Sequence, residues 1–114
     1  MPLIRVHISE DIDKSKYKEL LPLFSALTAE YTGKPEQYVM VTCEKTSMMM
    51  SGVQGNSAFI EIKSLGGLNQ EINRKLSSKL CSLLEKKLLI PKNRVYINYT
   101  DMERQNWGFN GTTF

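Results

Sequence analysis

The chain has 114 residues, 41% hydrophobic and 24% charged, a length and balance that fit one globular domain over residues 1–114 and exclude a disordered or membrane-spanning class. Its net charge of +3 comes from 15 Lys and Arg against 12 Asp and Glu, interspersed along the chain, so no basic block marks a nucleic-acid partner. A single histidine, His7, and two distant cysteines, Cys43 and Cys81, leave no metal-ligand cluster and no CxxC pair, and no cofactor is expected.

The first element is a strand, PLIRVHI (residues 2–8), which alternates Ile4, Val6 and Ile8 on one face with Leu3, Arg5 and His7 on the other. It opens on Pro2, directly behind Met1. Removal of Met1 would leave a secondary amine at the chain start. An α-amino group has an unperturbed pKa of about 7.7–8.0, and burial or a nearby cation lowers it, which makes such an amine a usable general base. After Asp13, which reads as an N-cap, KSKYKELLPLFSALTAEYTG places Tyr17, Leu20, Leu21, Phe24, Leu27 and Tyr31 at helical spacing and stops at Gly33 with Pro35 behind it. Pro22 inside this helix should bend it or lie near a break. A second strand, YVMVTCEK, is expected from Tyr38 to Lys45, followed by SMMMSGVQGNS as a loop or short turn. Cys43 falls in that strand and Cys81 in a later helix, and both read as small buried hydrophobes.

The plan then repeats. SAFIEIKSL is a strand, GG a turn, and NQEINRKLSSKLCSLLEKKL a helix with Ile72, Leu76, Leu80, Leu83, Leu84 and Leu88 on one side. Pro91 precedes a last strand, RVYINYT, with Val95, Ile97 and Tyr99 on one face and Tyr96, Asn98 and Thr100 on the other. Pro35 and Val39 recur as Pro91 and Val95, both at an offset of 56 residues. The chain is therefore a β-α-β unit written twice: an α+β two-layer sandwich with a four-stranded sheet and two helices on one face. Right-handed crossovers leave the other sheet face uncovered and in need of a partner. The tail DMERQNWGFNGTTF, with Trp107, Phe109 and Phe114, has two candidate resting places, a neighbouring subunit or its own domain.

The Met-Pro start, GKPEQY at Gly33–Tyr38, SLGGLN from Ser64, NRKLSSKLCSLL from Asn73, and RVYINYTDM followed by NWGFNGTTF together resemble the macrophage migration inhibitory factor family of the tautomerase superfamily. The resemblance spans nearly the whole chain, and the GGLN turn is similar to plant and microbial members. It implies a homotrimer of doubled β-α-β protomers with short extra strands, sheets lining the centre and helices outside. It implies further that Pro2 is the catalytic base, Lys34 a cation beside it, and the Leu65 backbone N–H a donor toward the substrate. Tyr96 and Asn98 would come from the adjacent subunit, and Tyr38, Trp107, Phe109 and Phe114 would form apolar walls.

Keto-enol tautomerisation moves a proton from carbon to oxygen, so it needs a base with a pKa near ambient pH and donors where negative charge grows. Pro2 and Lys34 suit that division, since an ammonium disfavours protonation of the neighbouring amine and attracts a carboxylate. The aromatics suit a ring, which points to a small aryl keto acid of the phenylpyruvate type, or to a dopachrome-type substrate. The chain departs from the animal cytokines of the family. Ser57, Ala58, Phe59 and Ile60 stand where they carry CxxC, the Asp11–Asp13 region has no clear counterpart of their receptor-linked Arg and Asp pair, and Trp107 and Phe109 exchange large and small wall positions. A cytokine-like ligand trimer acting on a receptor protein is the alternative to an enzyme. An RNA-binding module is disfavoured, because the strands lack a cluster of exposed aromatics with basic neighbours. With no leader-like basic-plus-apolar segment and no run near the roughly 20 residues that span a bilayer, the expected location is cytoplasmic, or secreted without a cleavable signal.

Overall fold

A computed structural model describes Met1–Phe114. Strand β1 (Leu3–Ile8) leads into helix α1 (Lys14–Thr32) and returns in parallel as β2 (Met40–Lys45); β5 (Ala58–Ser64), α2 (Gln70–Leu88) and β6 (Val95–Asp101) repeat the motif. The two units join through antiparallel β1 and β5, giving the sheet order β2-β1-β5-β6. Ile4, Val6 and Ile8 of β1 and Ala58, Ile60 and Ile62 of β5 point to the helical side, where they meet Leu20 and Phe24 of α1 and Leu76, Leu80 and Leu84 of α2. No helix is long and apolar enough to cross a membrane.

Several local expectations are corrected. Tyr38 lies in a 3₁₀ turn, Glu36–Tyr38, and the second strand starts at Met40. Helix α1 is continuous through Pro22, and Asp13 sits at its N-cap position without a side-chain capping bond; its backbone carbonyl accepts from Lys16 and Tyr17 instead. Thr28 and Thr32 are buried on α1, each donating its hydroxyl to the carbonyl four residues back, Phe24 O at 2.8 Å and Thr28 O at 2.6 Å. Cys43 and Cys81 are half-buried at the margin of the core rather than inside it. Burial pushes the Cys43 thiol up to about 11 and the Cys81 thiol upward, so both are poor nucleophiles at neutral pH.

The methionine-rich stretch is a hairpin, β3 (Met49–Met50) against β4 (Val53–Gln54), and the tail contains another, β7 (Gly108–Phe109) against β8 (Thr112–Thr113). Both turn on two residues with positive φ, Ser51-Gly52 at 55° and 75° and Asn110-Gly111 at 54° and 81°, the requirement of a type I′ turn. Within its own chain the tail meets the 3₁₀ turn, with Phe109 against Tyr38, while Phe109 stays 51% exposed. The helix-free sheet face is polar: Arg5 pairs with Glu61 at 3.3 Å, His7 with Glu44 at 3.1 Å, and Tyr96 stands 67% exposed.

Candidate active site

Topology draws the chain start, Lys34 and Leu65 to one end of the sheet. Helix α1 carries the chain back along β1, so its C-terminal end lies near the start of that strand. It closes with Gly33 at φ 70°, whose N–H donates to Ala29 O at 3.0 Å, and Lys34 follows directly. Because β5 runs antiparallel to β1, with Leu3 opposite Lys63, the turn after β5 arrives beside Pro2. Pro2 is buried, and its carbonyl accepts from Met40 N–H at 3.0 Å, which fixes the start of the chain to β2. The turn itself is held by Gly66 N–H donating to Asp101 Oδ1 at 2.9 Å and Ser64 Oγ donating to Gly66 O at 2.7 Å. At Gly67, with φ 76°, a Cβ would stand 2.6 Å from Thr32 O and 3.1 Å from Lys34 Cε. Only glycine lets this turn pack so closely against the Lys34 segment.

Two adjoining cavities open here. One, of about 330 Å³, is lined by Met1, Lys34, Pro35, Tyr38, Leu65, Arg104 and Phe114. The other, of about 440 Å³ and more apolar, is lined by Pro2, Leu3, Val39, Met40, Trp107 and Phe109, and shares Met1, Tyr38 and Phe114 with the first. Tyr38 meets Phe109 edge-on with ring centroids 6.2 Å apart, and Phe109 stacks on Phe114 at 5.1 Å and 6°. Such pairs are favoured aromatic geometries and give the site firm flat walls.

The amine at the chain start is electrostatically tuned. Burial first, and the Lys34 charge second, hold the Met1 amino group below its ordinary value. The ion pairs of the structure take their cations from Arg5, His7, Lys16, Lys45, Lys75 and Lys87, which leaves Lys34 and Arg104 without a carboxylate partner. A cavity flanked by two unpaired cations and walled by aromatics can hold an anionic ring compound.

Pro2, Lys34, Leu65, Tyr38, Trp107, Phe109 and Phe114 are thus gathered around these cavities. Tyr96 and Asn98 are not. They lie on the outer strand β6, where Tyr96 is level with Phe59 and His7, about 17 Å along β1 from Pro2 at ~3.4 Å per residue. Tyr96 lines a separate cavity with Met49, Met50 and Phe59. Sequence reasoning missed Arg104, Gln37 and Met40 as lining residues. The one available signal for Arg104 was that it is the only basic residue of the tail.

Fold and site define a class: doubled β-α-β proteins whose chain start sits in a cation-flanked, aromatic-walled pocket. The model of the family described as macrophage migration inhibitory factor matches residues 1–114, and the chain belongs to that family. It is 37% identical over 109 residues to macrophage migration inhibitory factor of Meriones unguiculatus, covering 94% of this chain and 95% of the relative. The crystal structure of a macrophage migration inhibitory factor-like protein from Entamoeba histolytica superposes with a TM-score of 0.91 at 34% identity, covering 99% of this chain and 98% of that one. The fold is also shared with a Q0 fused 4-OT wild type symmetric trimer, at a TM-score of 0.84 and 20% identity over 97% of this chain and 94% of that one.

Proposed function

We propose that this protein is a keto-enol tautomerase of aryl keto acids of the phenylpyruvate type, with Pro2 as general acid and base once Met1 is removed. The observation that carries this reading is the buried Pro2 at the chain start, with Lys34 lining the adjoining cavity, a setting in which burial first and the Lys34 charge second hold the Met1 amino group below its ordinary value. The neutral Pro2 nitrogen takes a proton from C3 of the keto acid while charge builds on the C2 oxygen, and the resulting ammonium returns that proton to the oxygen to give the enol. Lys34 and the Leu65 N–H stabilise the developing oxyanion. Tyr38, Trp107, Phe109 and Phe114 enclose the ring, and dopachrome-type substrates would enter by the same walls. Tyr96 and Asn98 complete the site from a neighbouring subunit of a homotrimer, an assembly that the symmetric trimer sharing this fold supports.

An intact-mass measurement paired with a phenylpyruvate tautomerisation assay tests this directly. Pro2→Gly keeps a terminal amine but loses the ring and should lower turnover by about 10²- to 10⁴-fold. Protein that retains Met1 should be inactive, because its Pro2 nitrogen is a tertiary amide. Full turnover in either form overturns the mechanism. A second reading, a cytokine-like ligand that binds a receptor protein, is favoured by the name carried by the 37% identical relative. Its effect on responding cells should survive Pro2→Gly.

A further inference from the structure

Arg104 opens the 3₁₀ turn Arg104–Asn106 after β6 and reaches the same 330 Å³ cavity as Lys34, Leu65 and Phe114. The nearby acids are engaged elsewhere: Asp101 Oδ1 accepts from Gly66 N–H, and Glu103 Oε2 accepts from Gln105. Lys34 and Arg104 therefore line one small cavity, and no side-chain carboxylate forms an ion pair with either. An anion bound between them would gain attraction from both.

The charge of the proposed reaction fits this arrangement. An aryl keto acid brings one carboxylate, and a second negative charge grows on its C2 oxygen during proton abstraction, so the transition state approaches two negative charges. One lysine neutralises one. A guanidinium fork matches a carboxylate through two parallel bonds, whereas an ammonium acts as a point charge that suits a single oxygen. Lys34 already lies against the Leu65–Gly67 turn, its Nζ 3.8 Å from where a Gly66 Cβ would stand, on the side of the expected oxyanion donor.

Resting on the tautomerase reading, we propose that Arg104 is a substrate-binding residue that takes the carboxylate and makes this pocket selective for keto acids over neutral keto esters, leaving Lys34 to the oxygen on which charge develops. The test compares phenylpyruvate with its methyl ester in the Met1-free protein, in Arg104→Ala and in Arg104→Lys. Arg104→Ala should reduce the acid-over-ester preference in kcat/KM about tenfold or more, mostly through KM for the acid, as expected for loss of a charge-assisted pair. Arg104→Lys should restore only part of it. A preference unchanged in Arg104→Ala, or acid and ester losing equally, overturns the assignment.

Calorimetric binding of the same two compounds to Pro2→Gly protein, with and without Arg104→Ala, separates this assignment from the reaction itself. If the native protein shows no Pro2-dependent turnover but acid binds more tightly than ester in an Arg104-dependent way, the tautomerase reading fails and the carboxylate site stands. If turnover depends on Pro2 but neither binding nor kcat/KM distinguishes acid from ester through Arg104, the reverse holds.

Discussion

The Met1 amino group owes its lowered pKa to two causes of unequal weight, and the same two would act on a Pro2 amine freed by Met1 removal, where titration can separate them. Burial removes water from the charged form, and Lys34 adds like-charge repulsion. A Pro2 base is active when neutral, so activity should fall as pH drops through its pKa. Lys34→Ala removes the smaller cause and lets the pKa rise toward its ordinary value, moving the acid limb of the kcat/KM profile to higher pH while burial keeps part of the displacement. A limb that stays in place or moves to lower pH would show that Lys34 does not reach the base. Lys34→Ala should also reduce kcat, since the proposed reaction uses its charge to stabilise the oxyanion. At this scale Pro2 was legible from its place in the chain, and Lys34 from GKPEQY. Arg104 was not, because the direction of a long side chain on an irregular tail is set by the turn that carries it. Thr28 and Thr32 were missed as buried residues because an apolar-polar reading ignores that a threonine can satisfy its hydroxyl on its own helix.

Among the elements, the β3–β4 hairpin depends on one side chain far away in sequence. Arg94 donates to four backbone carbonyls, Met50 O at 3.1 Å, Val53 O at 2.8 Å, Gly55 O at 3.0 Å and Asn56 O at 3.0 Å. Two-residue strands have too few ladder bonds to hold themselves. Arg94→Ala should therefore lower global stability by about 1–3 kcal/mol and sharply raise amide exchange over residues 48–56, as loss of several charge-assisted bonds requires. Arg94→Lys should rescue little, since an ammonium cannot present the same fork. Hydrogen exchange by mass spectrometry with a denaturant midpoint checks both, and an unchanged exchange pattern would refute the latch. The long elements were legible because 19-residue helices and six- or seven-residue strands carry a full hydrophobic period. The short extra strands were expected from the family resemblance but not located in the sequence: SMMMSGVQGNS was read as a loop or short turn, and Asn110-Gly111 between GF and TT carried an unused signal of a type I′ turn.

For the whole molecule, the separation of Tyr96 and Asn98 from Pro2 within one chain makes a strong demand. If they serve the same site, each site must be built from two subunits. Light scattering or sedimentation should give three times the 13.0 kDa chain mass. Pro2→Gly and Asn98→Ala proteins, each impaired alone, should regain activity when unfolded together and reassembled, because a mixed trimer contains interfaces where an intact Pro2 meets an intact Asn98. Absence of complementation with trimers formed normally would place Tyr96 and Asn98 outside the site.

The sequence alone determined the duplicated β-α-β plan and the helical side of the sheet, and it singled out the chain start as a candidate base, because periodic burial and a proline behind the first methionine are properties of local order along the chain. Tertiary structure decided that Phe109 of the tail meets Tyr38, how Gly67 lets the β5 turn close on Lys34, and that Arg104 joins Lys34 around one cavity. Those outcomes depend on backbone direction and close approach between segments tens of residues apart, which no local pattern encodes.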